Sequence, residues 1–197
     1  MPRQSFANVA CSIARSLDVV GGRWTPLILR DLFVGMSRFE DIRRDLGIAS
    51  NVLAERLAML ERHTIVERRQ YQSSPVRHEY RLTAKGLELY PVIATLIAWG
   101  DKWLSTAAPV LTVHYDCGKV TAAKIVCAEC GGNLTAANTA AVAGPGAHPG
   151  PGTAIIGEYL TTDDVITNSG NGHPRTANSP YTRTGERPTT PGRRPPA

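Results

Sequence analysis

Two short runs in the second half of the sequence carry residue types that bind transition metals. His114 and Cys117 are separated by two residues, as are Cys127 and Cys130, and a glycine follows each pair. Two intervening residues let both side chains reach one ion, and the glycine permits the positive φ that turns backbone N–H groups toward sulfur. The four donors predict a tetrahedral zinc site. It would be structural, because four protein ligands leave no position open for a substrate.

The run between the two pairs, residues 119–126, has a suitable length for a hairpin, so the segment resembles a small zinc ribbon. Two alternatives stay open: a thiol-bearing hairpin without metal, and a remnant ribbon that has lost its affinity for zinc. The chain has four cysteines in 197 residues. This is too few for a disulfide scaffold, so we expect reduced thiols.

The rest of the sequence gives no sign of catalysis. It has no nucleophile–base motif, no glycine-rich loop to cradle phosphate and no paired carboxylates at helical spacing in a plausible pocket. We therefore expect that the protein is not an enzyme. Cys11 is a candidate reactive thiol because it lies at the start of a predicted helix, where the thiolate is favoured. The alternative is that Cys11 is a small buried hydrophobe.

The composition is that of a folded protein with a mild basic excess. Twenty-two Lys and Arg against seventeen Asp and Glu leave a net charge of +5, which favours a polyanionic partner. The N-terminus lacks the apolar run of a secretory signal. The most apolar stretch, residues 87–104, carries charged residues and a proline. We expect a cytoplasmic protein with no membrane segment.

The chain falls into three segments of different character. Residues 9–104 show hydrophobic periodicity and are predicted to form one domain. Residues 109–136 hold three of the four cysteines and are predicted to form the ribbon-like hairpins. Residues 137–197 contain eighteen of the thirty-two Gly and Pro, so they bury too little surface to offset their chain entropy. We predict a largely disordered tail with a short extended piece at residues 155–160.

The first segment contains signals for four helices, a hairpin and a long final helix. The predicted helices run over Val9–Val20, from Thr25 to Gly35, from a Ser37 cap to Gly47, over Asn51–Arg62 behind a Ser50 cap, and from a Thr83 cap to about Leu104 with a kink at Pro91. The predicted strands are Ile65–Gln72 and Val76–Leu82. This order predicts a mainly α fold with a β-hairpin wing (α+β), a winged helix-turn-helix.

A winged helix-turn-helix suits double-stranded DNA, because a helix about 10–12 Å wide fits the major groove. The fourth predicted helix presents a polar side, where Asn51 can pair with adenine and Glu55 can accept from cytosine. Arg56 could contact a phosphate or an acidic partner within the chain. No cofactor is expected to be required for DNA binding. The predicted DNA-binding residues are Arg38, Arg43, Arg44, Ser50, Asn51, Ala54, Glu55, Arg56, Arg68, Arg69 and Arg77.

A set of spaced motifs over residues 9–104 resembles the HxlR-type family of bacterial regulators. These motifs are Cys11, Gly21-Gly22-Arg23-Trp24-Thr25, Ile28-Leu29-Arg30-Asp31-Leu32, Arg38-Phe39, Ile48-Ala49-Ser50-Asn51-Val52-Leu53, Arg56-Leu57, Pro75, Glu79-Tyr80-Arg81-Leu82-Thr83 and Gly86. The resemblance implies a homodimer that controls transcription. It also implies that the first and last helices form the dimer and that the fourth helix reads DNA.

Two positions depart from the family pattern. Thr64 stands where a glycine commonly ends the recognition helix, which puts the start of the wing in doubt. His78 stands where an apolar strand residue is usual, and is either a satisfied hairpin histidine or a pH-sensitive or ligand-contacting group. The family also often places a cysteine where Cys11 lies, and some members use it as a redox sensor.

The predicted function is a sequence-specific DNA-binding transcriptional regulator. It would act as a homodimer on a palindromic operator, open to modulation by a thiol or by an unidentified small-molecule effector. The alternative is a winged-helix protein-interaction module without direct DNA readout. The salt dependence of binding separates the two, because several phosphate contacts give a steep slope.

Overall fold

The computed structural model describes residues 5–160, so most of the predicted tail lies outside the described residues. The chain divides into two compact units. Residues up to Lys124, with Gly150–Thr153, form the first, and the other described residues belong to the second. The elements of the first unit are α1 (Ser12–Val20), α2 (Thr25–Phe33), α3 (Phe39–Leu46), α4 (Ser50–Arg62), β1 (Val66–Ser73), β2 (Val76–Leu82), α5 (Ala84–Leu87), α6 (Tyr90–Trp103), β3 (Thr112–His114) and β4 (Lys119–Thr121).

The predicted winged helix-turn-helix is confirmed in the first unit. Helices α2, α3 and α4 supply most of its core, and the β1–β2 hairpin adds Val66 at its base. On α4 the buried residues Leu53, Leu57 and Leu60 are spaced by four and three, so they share one helix face. Burying that face turns the opposite side of α4 toward solvent.

The turn between α3 and α4 is held by backbone conformation and by packing. Gly47 ends α3 at φ +60°, the left-handed conformation that glycine adopts without steric cost. Ile48 follows it into the core. The two serine caps were predicted wrongly, since Ser50 is the first residue of α4 and Arg38, not Ser37, precedes α3. Neither observed cap residue donates or accepts a side-chain cap hydrogen bond. Tertiary packing of the apolar faces therefore determines where these helices begin.

The wing is an antiparallel hairpin, as predicted. Val66 pairs with Leu82 at its base and Ser73 pairs with Val76 at its tip. The register shifts between Gln70 and Gln72, which leaves Tyr71 at a bulge. The base lies in the core, whereas the tip is exposed, so the hairpin projects from the helical body.

The wing begins just after Thr64, at Val66, although this threonine stands where the family commonly has a glycine. Its φ is +55°, the left-handed region in which a β-branched residue is uncommon. The hydroxyl of Thr83 donates to the Thr64 carbonyl oxygen at 2.6 Å, and the Thr83 N–H donates to the Ile65 oxygen at 3.0 Å. These hydrogen bonds hold both ends of the wing together while Thr64 bears the backbone strain.

Replacing Thr64 with glycine should therefore stabilise the fold. Left-handed φ costs an L-residue about 1–2 kcal/mol, partly offset by glycine's larger unfolded-state entropy, so we expect a gain of about 0.5–1 kcal/mol. Urea denaturation should show a higher midpoint with an unchanged m-value. Thr64→Ala is the control, because it removes the hydroxyl and the branch but keeps the Cβ. A Gly variant no more stable than the Ala variant would contradict strain at this position.

The predicted long final helix is two helices. Thr83 caps α5 as expected, since its hydroxyl accepts from the Gly86 N–H at 3.1 Å. However, α5 ends at Leu87 and α6 begins at Tyr90, with Pro91 in its first turn. A proline inside a helix lacks the N–H and clashes with the preceding turn, whereas the first turn tolerates it. Pro91 therefore starts a new helix instead of kinking one.

Asp31 on α2 is a carboxylate buried in the core. Its Oδ1 accepts from Arg30 Nη2 at 2.6 Å, but its Oδ2 is buried without a hydrogen-bond partner among the described residues. Burial raises the pKa of Asp31 above its ordinary value, against the lowering effect of Arg30. The folded state thus binds a proton more readily than the unfolded state does.

It follows that the stability contributed by Asp31 falls as pH rises from the ordinary carboxyl pKa through the raised value. Asp31→Asn abolishes this ionisation, so we expect its stability relative to wild type to increase over that pH range. Denaturant unfolding from pH 4 to pH 7 measures the difference. Asp18→Asn, at a partly exposed carboxylate on α1, is the comparison. A relative stability of Asp31→Asn that decreases with rising pH would contradict the raised pKa.

The predicted ribbon segment, residues 109–136, is divided between the two units. In the first unit β3 and β4 form a hairpin in which His114 pairs with Lys119. In the second unit Val126 and Asn133 form an antiparallel bridge. The extended piece predicted at residues 155–160 is wrong. Ile156–Tyr159 is a 3₁₀ turn, which closes locally through Glu158 N–H to Ile155 O. No described helix is long and apolar enough to cross a membrane.

Candidate nucleic-acid interface

Helix α4 presents a solvent-exposed polar face opposite its buried leucines. Ser50, Asn51, Ala54 and Glu55 on this face are all exposed, and the Glu55 side chain retains 67% of its accessible surface. These residues lie in the N-terminal half of the helix, the part that meets base edges when such a helix enters a major groove. The face that the sequence predicts to read DNA is therefore not packed against its own chain.

Contacts at the start of α3 bring that region to the wing. The Tyr80 N–H on β2 donates to the Ser37 carbonyl oxygen at 2.7 Å. The Arg38 guanidinium lies over the Tyr71 ring, 5.0 Å from its centroid. Arg38 also forms an isolated antiparallel bridge with Glu79. Arg38 is therefore held beside the bulged part of the wing, and its cation–π contact restricts where the charge can lie.

Four of the predicted DNA-binding arginines form ion pairs within the chain. The pairs are Arg43 with Glu40 at 2.9 Å, Arg44 with Asp41 at 2.8 Å, Arg56 with Glu55 at 3.1 Å, and Arg69 with Glu67 at 2.5 Å. Exposed ion pairs contribute only about 0–1 kcal/mol, so a phosphate can compete for most of these arginines. Arg56 differs, because its side chain is only 20% exposed. Of the two contacts predicted for Arg56, a phosphate or an acidic partner within the chain, the structure shows the second, with Glu55.

Arg68 and Arg77 are different from this paired group. Both are exposed on the wing, Arg68 on β1 and Arg77 near the tip on β2. Neither side chain makes an ion pair or a side-chain hydrogen bond within residues 5–160. They can contact a phosphate without first losing an internal partner, so they are the strongest candidates for backbone contacts.

Tyr71 is a candidate contact that the sequence reasoning missed. It is 38% exposed at the bulge of the wing and stacks against Arg38. An aromatic residue in a run of charged and polar strand residues was the available signal. Its position depends on the register shift, which the sequence pattern does not specify.

A second exposed surface is apolar. Ile13 and Leu17 on α1 are 71% and 43% exposed, and their spacing of four places them on one face. On α6 the apolar residues Val92, Leu96, Trp99 and Trp103 are 47%, 54%, 56% and 60% exposed, and Ile97, on another side of the helix, is 37% exposed. No residue of α1 is buried in the single chain. We call Ile13 and Leu17 of α1, together with Val92, Leu96, Trp99 and Trp103 of α6, the apolar helix face. Soluble proteins rarely leave such large side chains exposed unless a partner covers them.

The two remaining candidate residues lie apart from α4. Cys11 is the N-cap residue of α1 and is partly buried, with a free thiol. His78 is half-buried on β2, opposite Gln70. The structure leaves the redox role of Cys11 and the role of His78 as predictions.

The two predicted metal half-sites form the same local turn. The N–H of Gly118 donates to the His114 oxygen at 2.8 Å, and that of Gly131 donates to the Cys127 oxygen at 2.9 Å. Both glycines have positive φ, +67° and +70°. In the first turn His114 Nδ1 lies 3.5 Å from Cys117 Sγ. In the second, backbone N–H groups of Cys130 and Glu129 donate to the Cys127 sulfur and lower the pKa of its thiol.

These turns fit the donor chemistry of zinc, which takes thiolate and imidazole ligands. Within residues 5–160, however, no three His, Cys, Asp or Glu side chains form one group that could hold a metal ion. The zinc site therefore stays a prediction from the sequence.

The sequence is similar to known regulators. Residues 19–108 match the HxlR-like helix-turn-helix family. Rv3095 of Mycobacterium tuberculosis, an uncharacterized HTH-type transcriptional regulator, is 42% identical over 137 residues, which cover 68% of this chain and 87% of the relative. YodB of Bacillus subtilis, an HTH-type transcriptional regulator, is 37% identical over 100 residues, which cover 50% of this chain and 89% of the relative. The match to Rv3095 is longer than the chain up to Ala108, so it continues beyond the winged helix.

Among the solved structures that resemble this chain are two that are described as candidate transcription factors. PA1607 has a TM-score of 0.62 and 34% identity, covering 69% of this chain and 96% of that one. PA1374 of Pseudomonas aeruginosa has a TM-score of 0.51 and 32% identity, covering 76% of this chain and 100% of that one. The sequence and structural similarities thus agree on the same class of protein.

Proposed function

Since the chain belongs to the HxlR-like helix-turn-helix family of transcriptional regulators, which are not enzymes, we propose that it is a sequence-specific DNA-binding homodimer. Its operator would be a palindrome with half-sites about one helical turn apart, on the order of 34 Å. It would regulate transcription sterically, by occupying promoter DNA. This role requires access to DNA and places the protein in the cytoplasm.

The observation that supports this proposal is the exposed polar face of α4 beside a basic wing. Asn51 can donate to N7 and accept from N6 of adenine, while Arg68 and Arg77 supply charge for phosphates. The arginines fix orientation and Asn51 supplies sequence preference. In this arrangement affinity and specificity come from different residues and can be separated by mutation.

Selection of bound duplexes from a random DNA pool, with purified full chain, tests the proposal. We expect an enriched palindrome, and a change of preference at one base pair per half-site in Asn51→Ala. Asn8→Ala, which removes an exposed amide far along the chain from α4, should select the wild-type sequence. No enrichment, or an Asn51→Ala variant with the wild-type preference, would overturn this assignment of base readout.

The second candidate function is a protein-interaction module in which the basic surface is incidental. A titration of affinity for the selected DNA against salt distinguishes the two. A log–log slope near zero would favour the interaction module, whereas about six phosphate contacts would give a slope near −5.

The dimer would form through the apolar helix face of α1 and α6. Two copies would bury Leu96 and Trp99, which are more than half exposed in the single chain. An isologous interface of this kind relates two α4 helices by a two-fold axis, which a palindromic operator requires.

Cys11 would then be placed to modulate the regulator, since it is the N-cap residue of α1, one of the two proposed dimer helices. Oxidation or alkylation of its thiol would alter packing at the start of this helix. Mass spectrometry after mild peroxide or aldehyde treatment, paired with operator binding, is the test. An unmodified Cys11 with unchanged binding excludes the thiol sensor.

Zinc binding by His114, Cys117, Cys127 and Cys130 is a further proposal, based on their donor types and on two matching turns. When bound, the ion would cross-link the two turns of residues 109–136 and so stabilise their fold. Elemental analysis of protein purified without added metal should give about one equivalent, lost in Cys117→Ser. His148→Ala, at a histidine outside both turns, should retain it. Less than about a tenth of an equivalent with all thiols reduced contradicts the site.

A further inference from the structure

A groove in the first unit runs between α6 and the β3–β4 hairpin. Its volume is about 620 Å³, within the range of about 300–1,000 Å³ that holds small ligands. Most of its wall is aliphatic, including Ala94, Ile97 and Ala98 from the helix and Val113 and Val120 from the hairpin. Neither the DNA-reading face nor the zinc turns account for this surface as a whole.

The groove occupies a different side of α6 from the apolar helix face. Its α6 residues recur at positions 90, 94, 97, 98 and 101, whereas the α6 residues of the apolar helix face recur at 92, 96, 99 and 103. At about 100° per residue, the centres of the two sets lie about 175° apart around the helix axis. A second copy on the apolar helix face would therefore leave the groove open.

One carboxylate gives the groove its electrostatic character. Asp101 lines it and is half-buried. Its side chain makes no ion pair or side-chain hydrogen bond among the residues that the structure describes. No lysine or arginine lines the groove. The other polar groups on its wall are the hydroxyls of Tyr90, Tyr115, Thr112 and Thr121 and the ring of His114.

His114 does not neutralise this carboxylate. Its Nδ1 lies 3.5 Å from Cys117 Sγ and its Nε2 lies 3.6 Å from Asp116 Oδ2, so both ring nitrogens already have neighbours on the hairpin itself. An apolar wall with one uncompensated acid favours a ligand that is apolar and positively charged. Such a ligand buries hydrocarbon surface and gives Asp101 the partner that it lacks.

We propose that the groove between α6 and the β3–β4 hairpin binds a small lipophilic cation, with its apolar body on the aliphatic wall and its charge beside Asp101. The binding itself does not depend on the proposed DNA function. Its regulatory consequence does, because α6 carries the dimer residues on its opposite side and a ligand that shifts this helix would change the placement of the recognition helices.

Two ions of equal shape and opposite charge test the charge selectivity. Isothermal titration calorimetry of the full chain with tetraphenylphosphonium and with tetraphenylborate should show one phosphonium site per chain and weaker binding of the borate. The net charge of +5 favours the anion non-specifically. A preference for the cation would therefore reflect the local site. Equal affinities, a preference for borate, or no phosphonium binding each overturn the proposal.

Four variants locate the site. Asp101→Asn should lower phosphonium affinity about fivefold and leave borate affinity unchanged, and Asp101→Glu should largely retain it. Ala98→Trp should fill the groove and abolish binding. Glu88→Gln, at an exposed carboxylate outside the groove, should bind like wild type. Circular dichroism verifies the fold of each variant. Wild-type phosphonium affinity in folded Asp101→Asn or in folded Ala98→Trp contradicts the assignment.

The effect of the bound cation on DNA binding is measured in a separate experiment. We expect saturating phosphonium to change operator affinity in wild type and not in Ala98→Trp. If the selection experiment finds no operator while the calorimetric pattern holds, the groove is a ligand site and the DNA proposal alone fails. If the operator is found but phosphonium does not bind, only the groove proposal fails.

Discussion

Replacing Arg68 and Arg77 together with alanine should lower operator affinity about a hundredfold and make binding much less sensitive to salt. Each phosphate contact contributes about 0.9 to the slope of log affinity against log salt. Two arginines on each of two wings amount to four contacts, so the slope should become less negative by about 3 to 4.

The effect on affinity should be large because neither of the two side chains forms an ion pair within the described residues. Arg43, Arg44 and Arg69 already have carboxylate partners, and transferring them to phosphates exchanges one ion pair for another. Arg68 and Arg77 lose no such partner within the described residues. Their phosphate contacts should therefore be the most favourable per residue, and Arg43→Ala should cost less than Arg68→Ala.

The effect of removing positive charge in general must be distinguished from the effect of removing contacts between the wing arginines and phosphates. Lys119→Ala with Lys124→Ala removes the same charge from exposed positions on and after β4. Fluorescence anisotropy with labelled operator at several salt concentrations should give a slope close to that of wild type for this control. A wing variant that matches the lysine control, or that changes base preference without changing the slope, would show that the wing does not contact phosphates.

The sequence predicted the helix order and the wing because these depend on local signals. Leucines spaced by three and four define the buried face of α4, and Gly47 marks the end of α3. The motifs of residues 9–104 also pointed to the family that the comparisons establish. The exposure of Asn51 and Glu55 follows from the same periodicity, so this part of the interface could be predicted.

Features that depend on long-range contacts could not be predicted. The hydrogen bond from the Thr83 hydroxyl to the Thr64 carbonyl oxygen joins residues nineteen positions apart in the sequence. The Arg38–Tyr71 stack requires the wing to meet the start of α3. The groove beside Asp101 requires the β3–β4 hairpin to face α6. Periodicity specifies which residues share a face, but it does not specify which distant segment lies against that face.

Helix α6 has three sides with different surroundings, and substitutions on one of them should have a large effect on dimer formation. Ile93 faces the core, the Asp101 side faces the groove, and Leu96 and Trp99 are 54% and 56% exposed. Replacing Leu96 with aspartate and Trp99 with serine changes only this last side. The fold should be retained, because neither residue is buried in the single chain, whereas an apolar interface between copies should not tolerate a charge at its centre.

We therefore expect the Leu96→Asp/Trp99→Ser chain to be a folded monomer that binds the operator at least about a hundredfold more weakly. Two half-sites bound by linked copies gain about 10²–10⁴ in affinity over one half-site, and the monomer loses that gain. Sedimentation velocity gives the oligomeric state, and anisotropy gives the affinity for full and half operators. Ile97→Asp, the same kind of change on the groove side, should remain a dimer with operator affinity close to that of wild type. If Ile97→Asp dissociates instead, the dimer forms through another surface. If wild type is already a monomer that binds the full operator tightly, the homodimer proposal itself fails. If the double variant remains a dimer, the apolar helix face is covered by something other than a second copy of the chain.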